Sequence, residues 1–560
     1  MKRNHLFLFI GLLAINSFCY AQSATYENVL ASLQKNMPEI NTEKKTFVQE
    51  IYESAANTVT FKSKVTDVKG KSEETELSFN FSDIDIHSVR PITKGDVISI
   101  QLIVNGNQKL IKVNEENKKI FYTSKFEILA KDINNARILS DFIKEIIPFS
   151  VTISEKTLGL TGYTDRLNYL VDHIKNVSLI KKAYNQTFSI DTEVAGNVKL
   201  EITKSAGSKV NTEVYSFNIA TLNANSISFK IKMDEILISL GTRRNLKTIK
   251  VAEDGVQKNY VNSIEIIASS IENGKNLVAV LKELIPLGEI EFKKNIPSIN
   301  SVDEGLVFVN SLIEKIVHKD ESVFQKMSTD CVTSFEKKQE TLKKSTLSNY
   351  TFSFLDLVSQ NVDFKISGTE IKVLLDLGHK YVQVKEDGQV KNYISEVEIE
   401  TNSVEHAIIM TDVLKQVIDK CKEAKKDIVL PSAKAGIEMI VKEIQSLRID
   451  AIQYDQELTF SKNSVGGFLL KLKQIETSPK KSKESIYEFN LSDIDQRSVE
   501  IKISGNKVFI EFSTKFMEKI IKTYQDGVSK NYTNSLTVLC TDVENARRMK
   551  EILIALTKEN

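Results

Sequence analysis

The residues best placed to do chemistry in this chain of 560 residues are three copies of one tripeptide. Lys258-Asn259-Tyr260, Lys391-Asn392-Tyr393 and Lys530-Asn531-Tyr532 each follow an Asp-Gly pair. A lysine and a tyrosine repeated on successive modules would set a cationic point beside an aromatic face several times over. Weak single contacts then add through avidity. Lys258, Tyr260, Lys391, Tyr393, Lys530 and Tyr532 are therefore the candidate binding surface. The competing role is structural: each tyrosine begins the last strand and packs across its hairpin, with the lysine solvated.

Other groups point less clearly to chemistry. Ser82-Asp83-Ile84-Asp85 and Ser492-Asp493-Ile494-Asp495 carry carboxylates two apart, which could ligate Ca²⁺. A calcium loop of the helix–loop–helix kind needs more oxygen ligands, a glycine and a closing glutamate. The matching segments Ala220-Thr221-Leu222-Asn223 and Leu355-Asp356-Leu357-Val358 drop the pair, so a strand-ending Asx turn is the better reading. His87, His173, His318, His379 and His406 are scattered without HxH or HExxH spacing and read as surface residues, not as metal ligands or a triad. Phosphate-binding, dinucleotide-binding and GxSxG motifs are absent from the sequence. Beyond the leader, Cys331, Cys421 and Cys540 are odd in number and non-equivalent in position, and read as small buried apolar side chains. No catalytic residue, metal ligand or cofactor site is expected, and the chain reads as a non-enzyme.

What must position the tripeptides is a repeated unit. Their tyrosines, with Tyr122 in a more diverged first copy, lie 138, 133 and 139 residues apart. A second landmark, at Phe79, Phe217, Phe352 and Phe489, precedes the tyrosine of its copy by 43, 43, 41 and 43 residues. Two markers that keep both period and internal spacing predict a tandem array. The expected organisation is residues 1–21 as a signal peptide, then repeats at 22–150, 160–288, 300–430 and 432–560.

Within one unit the patterns are local. In the second copy Val198–Thr203, Val214–Ile219, Ile227–Ile231 and Ile236–Leu240 alternate apolar and polar residues, as strands with one buried face do. Asp254-Gly255 between two further runs predicts a hairpin, because both residues tolerate positive φ. Ten residues past the tyrosines, Asp132, Ser270, Ser403 and Asp542 predict helix N-caps. Glu272, Glu405 and Glu544 follow in the first turn. Pro148, Pro286 and Pro431 are expected to stop the closing helices. Ser301 with Glu304 predicts a capping box for a helix ahead of the strands, and Leu167–Val177 and Ile437–Leu447 show a comparable period. The fold class expected is α+β: a helix, about six antiparallel strands, and a C-terminal capping helix in each unit.

Element order of this kind resembles the pleckstrin-homology-like superfold, in which a bent sheet or barrel is plugged by its C-terminal helix. The resemblance implies a module that binds peptides, proteins or lipid headgroups, and implies no catalysis.

Composition and the leader set the compartment. Lys plus Arg number 75 against 74 Asp plus Glu, which leaves no basic stripe for nucleic acid. Lys2 and Arg3, an apolar run over residues 6–15 and Cys19-Tyr20-Ala21 predict an exported chain cleaved near Ala21-Gln22, periplasmic or secreted. No later stretch approaches the ~20 apolar residues that a spanning helix needs. The expected role is an exported non-catalytic binding or scaffold protein whose partner is a protein, a peptide or an envelope component. Two other classes stay open: an enzyme with its site at an inter-repeat cleft or in one diverged repeat, and a structural envelope protein without a small ligand.

Overall fold

Period-two alternation places more of the chain in strands than in helices, and the structure, a computed structural model, does the same. It describes residues 25–558 apart from 96, 117–119, 156–157, 193, 314, 318–320 and 463–466. The leader, the turn residue Asn117 and His318 lie outside the described residues. The chain divides into two compact units, residues 1–291 and 292–560.

One pattern of sheets recurs four times, twice in each unit. In the second occurrence Val177–Ser178, Ala183–Ile190, Asn197–Ala206, Lys209–Asn218, Lys250–Glu253 and Val256–Gln257 pair in that order as a six-stranded antiparallel sheet. Ser228–Lys232, Glu235–Gly241 and Ser263–Ala268 make a three-stranded one. The chain leaves the large sheet after Asn218 through short 3₁₀ turns, builds two strands of the small sheet, and returns for the Asp-Gly hairpin. It then finishes the small sheet and enters a helix. The sheets do not close on each other into a barrel. Leu200, Phe217, Ile238 and Ile266 fill the space between them, and Leu277, Leu281 and Leu284 of the following helix complete that core.

Among the described residues eight helices flank the sheets: α1 (Tyr26–Lys35), α2 (Ile133–Ser154), α3 (Gly162–His173), α4 (Ile271–Lys293), α5 (Val302–Ile313), α6 (Val404–Ala424), α7 (Ala433–Glu443) and α8 (Val543–Lys558). Even-numbered helices follow a small sheet and odd-numbered ones precede a large sheet. All four expected N-caps accept from the amide three residues on: Asp132 from Asn135 at 2.8 Å, Ser270 from Asn273 at 3.1 Å, Ser403 from His406 at 3.1 Å and Asp542 from Asn545 at 2.8 Å. Ser301 caps α5 in the same way, from Glu304 at 3.1 Å.

The residue in third position does a second job. Asn135, Asn273 and Asn545 donate to the carbonyls of Asn36, His173 and Glu443, at 3.0 Å in each case, and so tie the start of each closing helix to the end of its opening helix. His406 occupies this position in α6, and its buried Nδ1 has no partner among the described residues. Replacing His406 with Asn should supply the missing tie and stabilise the 292–560 unit by about 1 kcal/mol, the net worth of one hydrogen bond. A urea midpoint that stays level or falls at pH 7 would contradict this.

Four expectations need correction. The strands among the described residues number nine in each set, not about six. Ala183–Ile190 was missed because Gln186 interrupts its inward face, and the two-residue strands are too short to show a period. Secondly, Pro148 and Pro286 lie inside α2 and α4 instead of ending them. An interior proline costs about 3 kcal/mol, but the helical turn beyond each one is tightly engaged. Beyond Pro148, buried Ser150 sits 2.8 Å from Asn57 Oδ1 and accepts from the Ser82 amide at 2.9 Å. Beyond Pro286, Gly288 lets the helix approach Ile219 so closely that a Cβ would lie 2.8 Å from its methyl carbon.

Thirdly, Cys331 and Cys421 form a disulfide across 90 residues of sequence, with Cα atoms 5.7 Å apart. The end of α6 returns to the mouth of strand Val332–Thr341, a long-range approach that no local pattern signals. Cys540 is free and buried, as expected. Lastly, the surface reading of the histidines fails for two of them. His173 is half-buried and stacks on Tyr169 with centroids 3.8 Å apart, and His406 is half-buried as described.

Candidate functional site

Each Asp-Gly pair makes a turn with positive φ at both residues: 48° and 80° at Asp254-Gly255, 48° and 83° at Asp387-Gly388, 50° and 79° at Asp526-Gly527. That geometry matches the twist of the flanking strands. The aspartate side chain is used as well. Asp254 accepts from the Thr212 amide at 3.0 Å and Asp526 from the Glu484 amide at 2.9 Å, locking the turn to the neighbouring strand.

The tripeptides beyond these turns do not present one shared surface. Lys258, Lys391 and Lys530 are exposed, and Lys258 pairs with Glu253 at 3.3 Å. Tyr260 and Tyr393 are each only 5% exposed, whereas Tyr532 is 51% exposed. Tyr393 belongs to the core of the set that follows it, and accepts from Gln383 Nε2 at 2.8 Å. Burial pushes its hydroxyl above the ordinary range. Tyr122 in the first hairpin likewise packs on the second core, where burial and then Asp234 push it up to about 12. Within each unit, therefore, the hairpin tyrosine of one set plugs the next.

An ion pair accompanies the plug in both units. In residues 1–291, Lys275 Nζ lies 2.7 and 2.6 Å from the two oxygens of Asp83 and 3.0 Å from Glu272. In residues 292–560, Arg547 forks onto Asp356, with Nη1–Oδ1 at 2.5 Å, and reaches Glu544 at 3.1 Å. The partners stand 192 and 191 residues apart in the two cases. The cation is the fifth residue of α4 or α8, and the aspartate ends the 3₁₀ turn Phe81–Asp83 or Phe354–Asp356. The Asx-turn reading holds at Asp85, whose side chain caps the following turn Ile86–Ser88. Asp83 is instead a junction residue.

Between the two sheets of a set lies the other concave feature. A glutamine on the second strand of each large sheet reaches across and clamps one residue of the last small-sheet strand. Gln49 accepts from Leu129 N at 2.8 Å and donates to its carbonyl at 3.0 Å. Gln186 does the same to Ile267 at 3.0 and 2.8 Å, Gln325 to Glu400 at 2.9 and 3.0 Å, and Gln456 to Leu539 at 3.0 and 2.8 Å. A side-chain amide thus stands in for a neighbouring strand. Sequence reasoning missed these four residues, which recur at intervals of 137, 139 and 131 residues.

Beside the glutamine the sets differ. The second holds a cleft of about 780 Å³ with an apolar floor that includes Ile202, Leu237 and Ile267. Its wall carries Glu235, which accepts from Lys182 at 2.6 Å and from the Tyr184 hydroxyl at 2.5 Å. Burial alone would raise the carboxyl, but these donors outweigh it and hold Glu235 below the usual carboxylate range. Burial, then the bond to Glu235, pushes the Tyr184 hydroxyl well above its ordinary value. Glu235 therefore stays charged and Tyr184 protonated at neutral pH, which suits binding more than proton transfer. Lys204 lies 5.6 Å over the Tyr184 ring.

In the fourth set the cleft is about 190 Å³, and beside it Lys507 opens the second small-sheet strand as Glu235 does in the second set. Lys507 Nζ donates to the Tyr454 hydroxyl at 2.5 Å and lies 4.8 Å over its ring. In the third set the space is filled by an ion pair, Lys337–Glu400 at 2.7 Å, with side chains 10% and 7% exposed. Among the described residues no three of His, Cys, Asp and Glu converge as a metal would require. Among the same residues no helix is long and apolar enough to cross a membrane. No known protein-family model matches the chain, and no curated protein matches it significantly.

Proposed function

We propose that this is an exported, non-catalytic binding or scaffold protein that uses four tandem pleckstrin-homology-like modules to recognise a protein, a peptide or an envelope surface. The observation that carries the reading is constancy of framework against divergence of cleft. The glutamine clamp recurs in all four sets and the helix-to-helix asparagine tie in three, while beside them stand Glu235 in the second set, Lys507 on Tyr454 in the fourth and a filling ion pair in the third. A rigid frame with variable linings suits recognition, in which each module contributes part of an extended contact. The disulfide supports export, because such bonds persist in oxidising compartments. The cleft of the second set, with Lys204 and Lys232 on its rim and an apolar floor, fits an extended peptide carrying both acidic and apolar side chains.

The test is crosslinking in the native envelope, followed by mass spectrometry of the captured polypeptides. Lys204→Glu with Lys232→Glu should cut capture by about tenfold, the scale of one lost charge-assisted contact. A second variant, Lys258→Glu with Lys391→Glu and Lys530→Glu, should capture as wild type does. Equal capture by the cleft variant and wild type would overturn the assignment to the cleft. Loss in the hairpin variant alone would return recognition to the hairpin lysines.

A further inference from the structure

The junction described within each unit leaves both of its halves exposed elsewhere in the chain. One half is the aspartate of the 3₁₀ turn with the hairpin tyrosine. In the fourth set these are Asp493, ending the turn Leu491–Asp493, and Tyr532, 51% exposed. Ile520, which corresponds to the core-packed Tyr381 of the third set, is 41% exposed, and Phe516 nearby is 91% exposed. The other half is the start of a closing helix. The first and fifth residues of α4 are Ile271, packed on the preceding core, and Lys275. In α8 they are Val543, 7% exposed, and Arg547. In α2 they are Ile133, 43% exposed, and Arg137, also exposed. Among the described residues neither Arg137 nor Asp493 has an ion-pair partner.

We infer that the chain associates with a second copy of itself head to tail, the Asp493–Tyr532 face of one copy docking on the Ile133–Arg137 face of the next. Charge complementarity carries the choice of occupant. Asp493 and Arg137 reproduce the Asp83–Lys275 and Asp356–Arg547 pairs in type, in order and in position on their elements. The apolar complement is in place too, since Tyr532 and Ile520 find in Ile133 the counterpart that Tyr393 and Tyr381 find in the fourth core. Such a contact joins two different surfaces, so it builds open filaments or closed rings, not a two-fold dimer. The inference stands apart from cleft recognition, which either assembly state permits.

Sedimentation velocity on the chain starting at Gln22, from about 1 to 200 μM, reads the association across the range where weak self-contacts appear. Arg137→Asp and Asp493→Arg each set like charges at the junction and should weaken association by at least about tenfold. An equimolar mixture of the two variants restores opposite charges at both alternating junctions and should associate within about threefold of wild type. A wild-type chain that stays monomeric throughout overturns the proposal. So does association that neither substitution weakens, or a mixture no stronger than its components. Circular dichroism melts of both variants, unchanged from wild type, separate lost association from lost fold.

Discussion

Replacing Cys331 and Cys421 together with serine is expected to destabilise the 292–560 unit by about 4 kcal/mol, the loop-entropy scale for a closure of this length. The bond closes 90 residues, nearly the whole of the third set from its third strand to the end of its closing helix. Removing it frees that loop in the unfolded chain while leaving the native packing of Cys421, 1% exposed, almost unaltered. Urea unfolding of wild type and double variant reads the difference. A loss below about 1 kcal/mol would show that the bond does not constrain the unfolded chain. Thiol labelling supplies an independent check. Unfolded without reductant, the chain from Gln22 onward should label once, at Cys540. That thiol is pushed up to about 12 by burial in the native state and stays inert there.

Lys337→Met should cost about 3–5 kcal/mol, because it takes the ammonium away from a buried Glu400 carboxylate. The magnitude separates this pair from surface pairs such as Lys71–Glu73, where both side chains are 73% exposed and deletion should be nearly silent. The second set shows what the position accepts instead. Ile202 and Ile267 stand where the third set has Lys337 and Glu400, by the register of the two sheets. The double variant Lys337→Ile with Glu400→Ile should therefore recover to within about 1 kcal/mol of wild type, since apolar replacement of a buried pair is often neutral or stabilising. A double-mutant cycle in urea tests both arms. A double variant as unstable as the single one would mean that packing, and not the buried charge, governs the site.

What could be read in the sequence was what local chemistry decides. The Asp-Gly turns, the caps at Asp132, Ser270, Ser403 and Asp542, and the capping serine of α5 each need only residues within four positions of one another. The mixed helix-and-sheet class followed from their order. Where distant residues decide, sequence patterns fell short. Cys331 and Cys421 meet only because a helix folds back over a strand mouth. Pro148 reads as a stop until Ser150, beyond it, is seen bound to Asn57 and Ser82. Tyr393 looked like part of a surface because burial by the following set leaves no mark on the tripeptide itself. Gln186 interrupts an apolar alternation, and its purpose appears only once Ile267 stands opposite. A glutamine recurring once per copy on the inward side of an alternating strand was the available signal.

Those glutamines also bear on motion. Where two strands of a ladder meet, opening them breaks a row of bonds together. Along this edge of the second set the two sheets are joined by two bonds of the Gln186 amide and two to Glu235, so parting them there breaks four bonds and no ladder. At about 1 kcal/mol net for each bond, such an opening falls below the stability of a whole domain and is sampled without global unfolding. The second set can then breathe along this seam while its helix and both sheets stay intact. The cleft of the second set lies on the seam, and its mouth is free to widen for an occupant bulkier than the resting cavity admits.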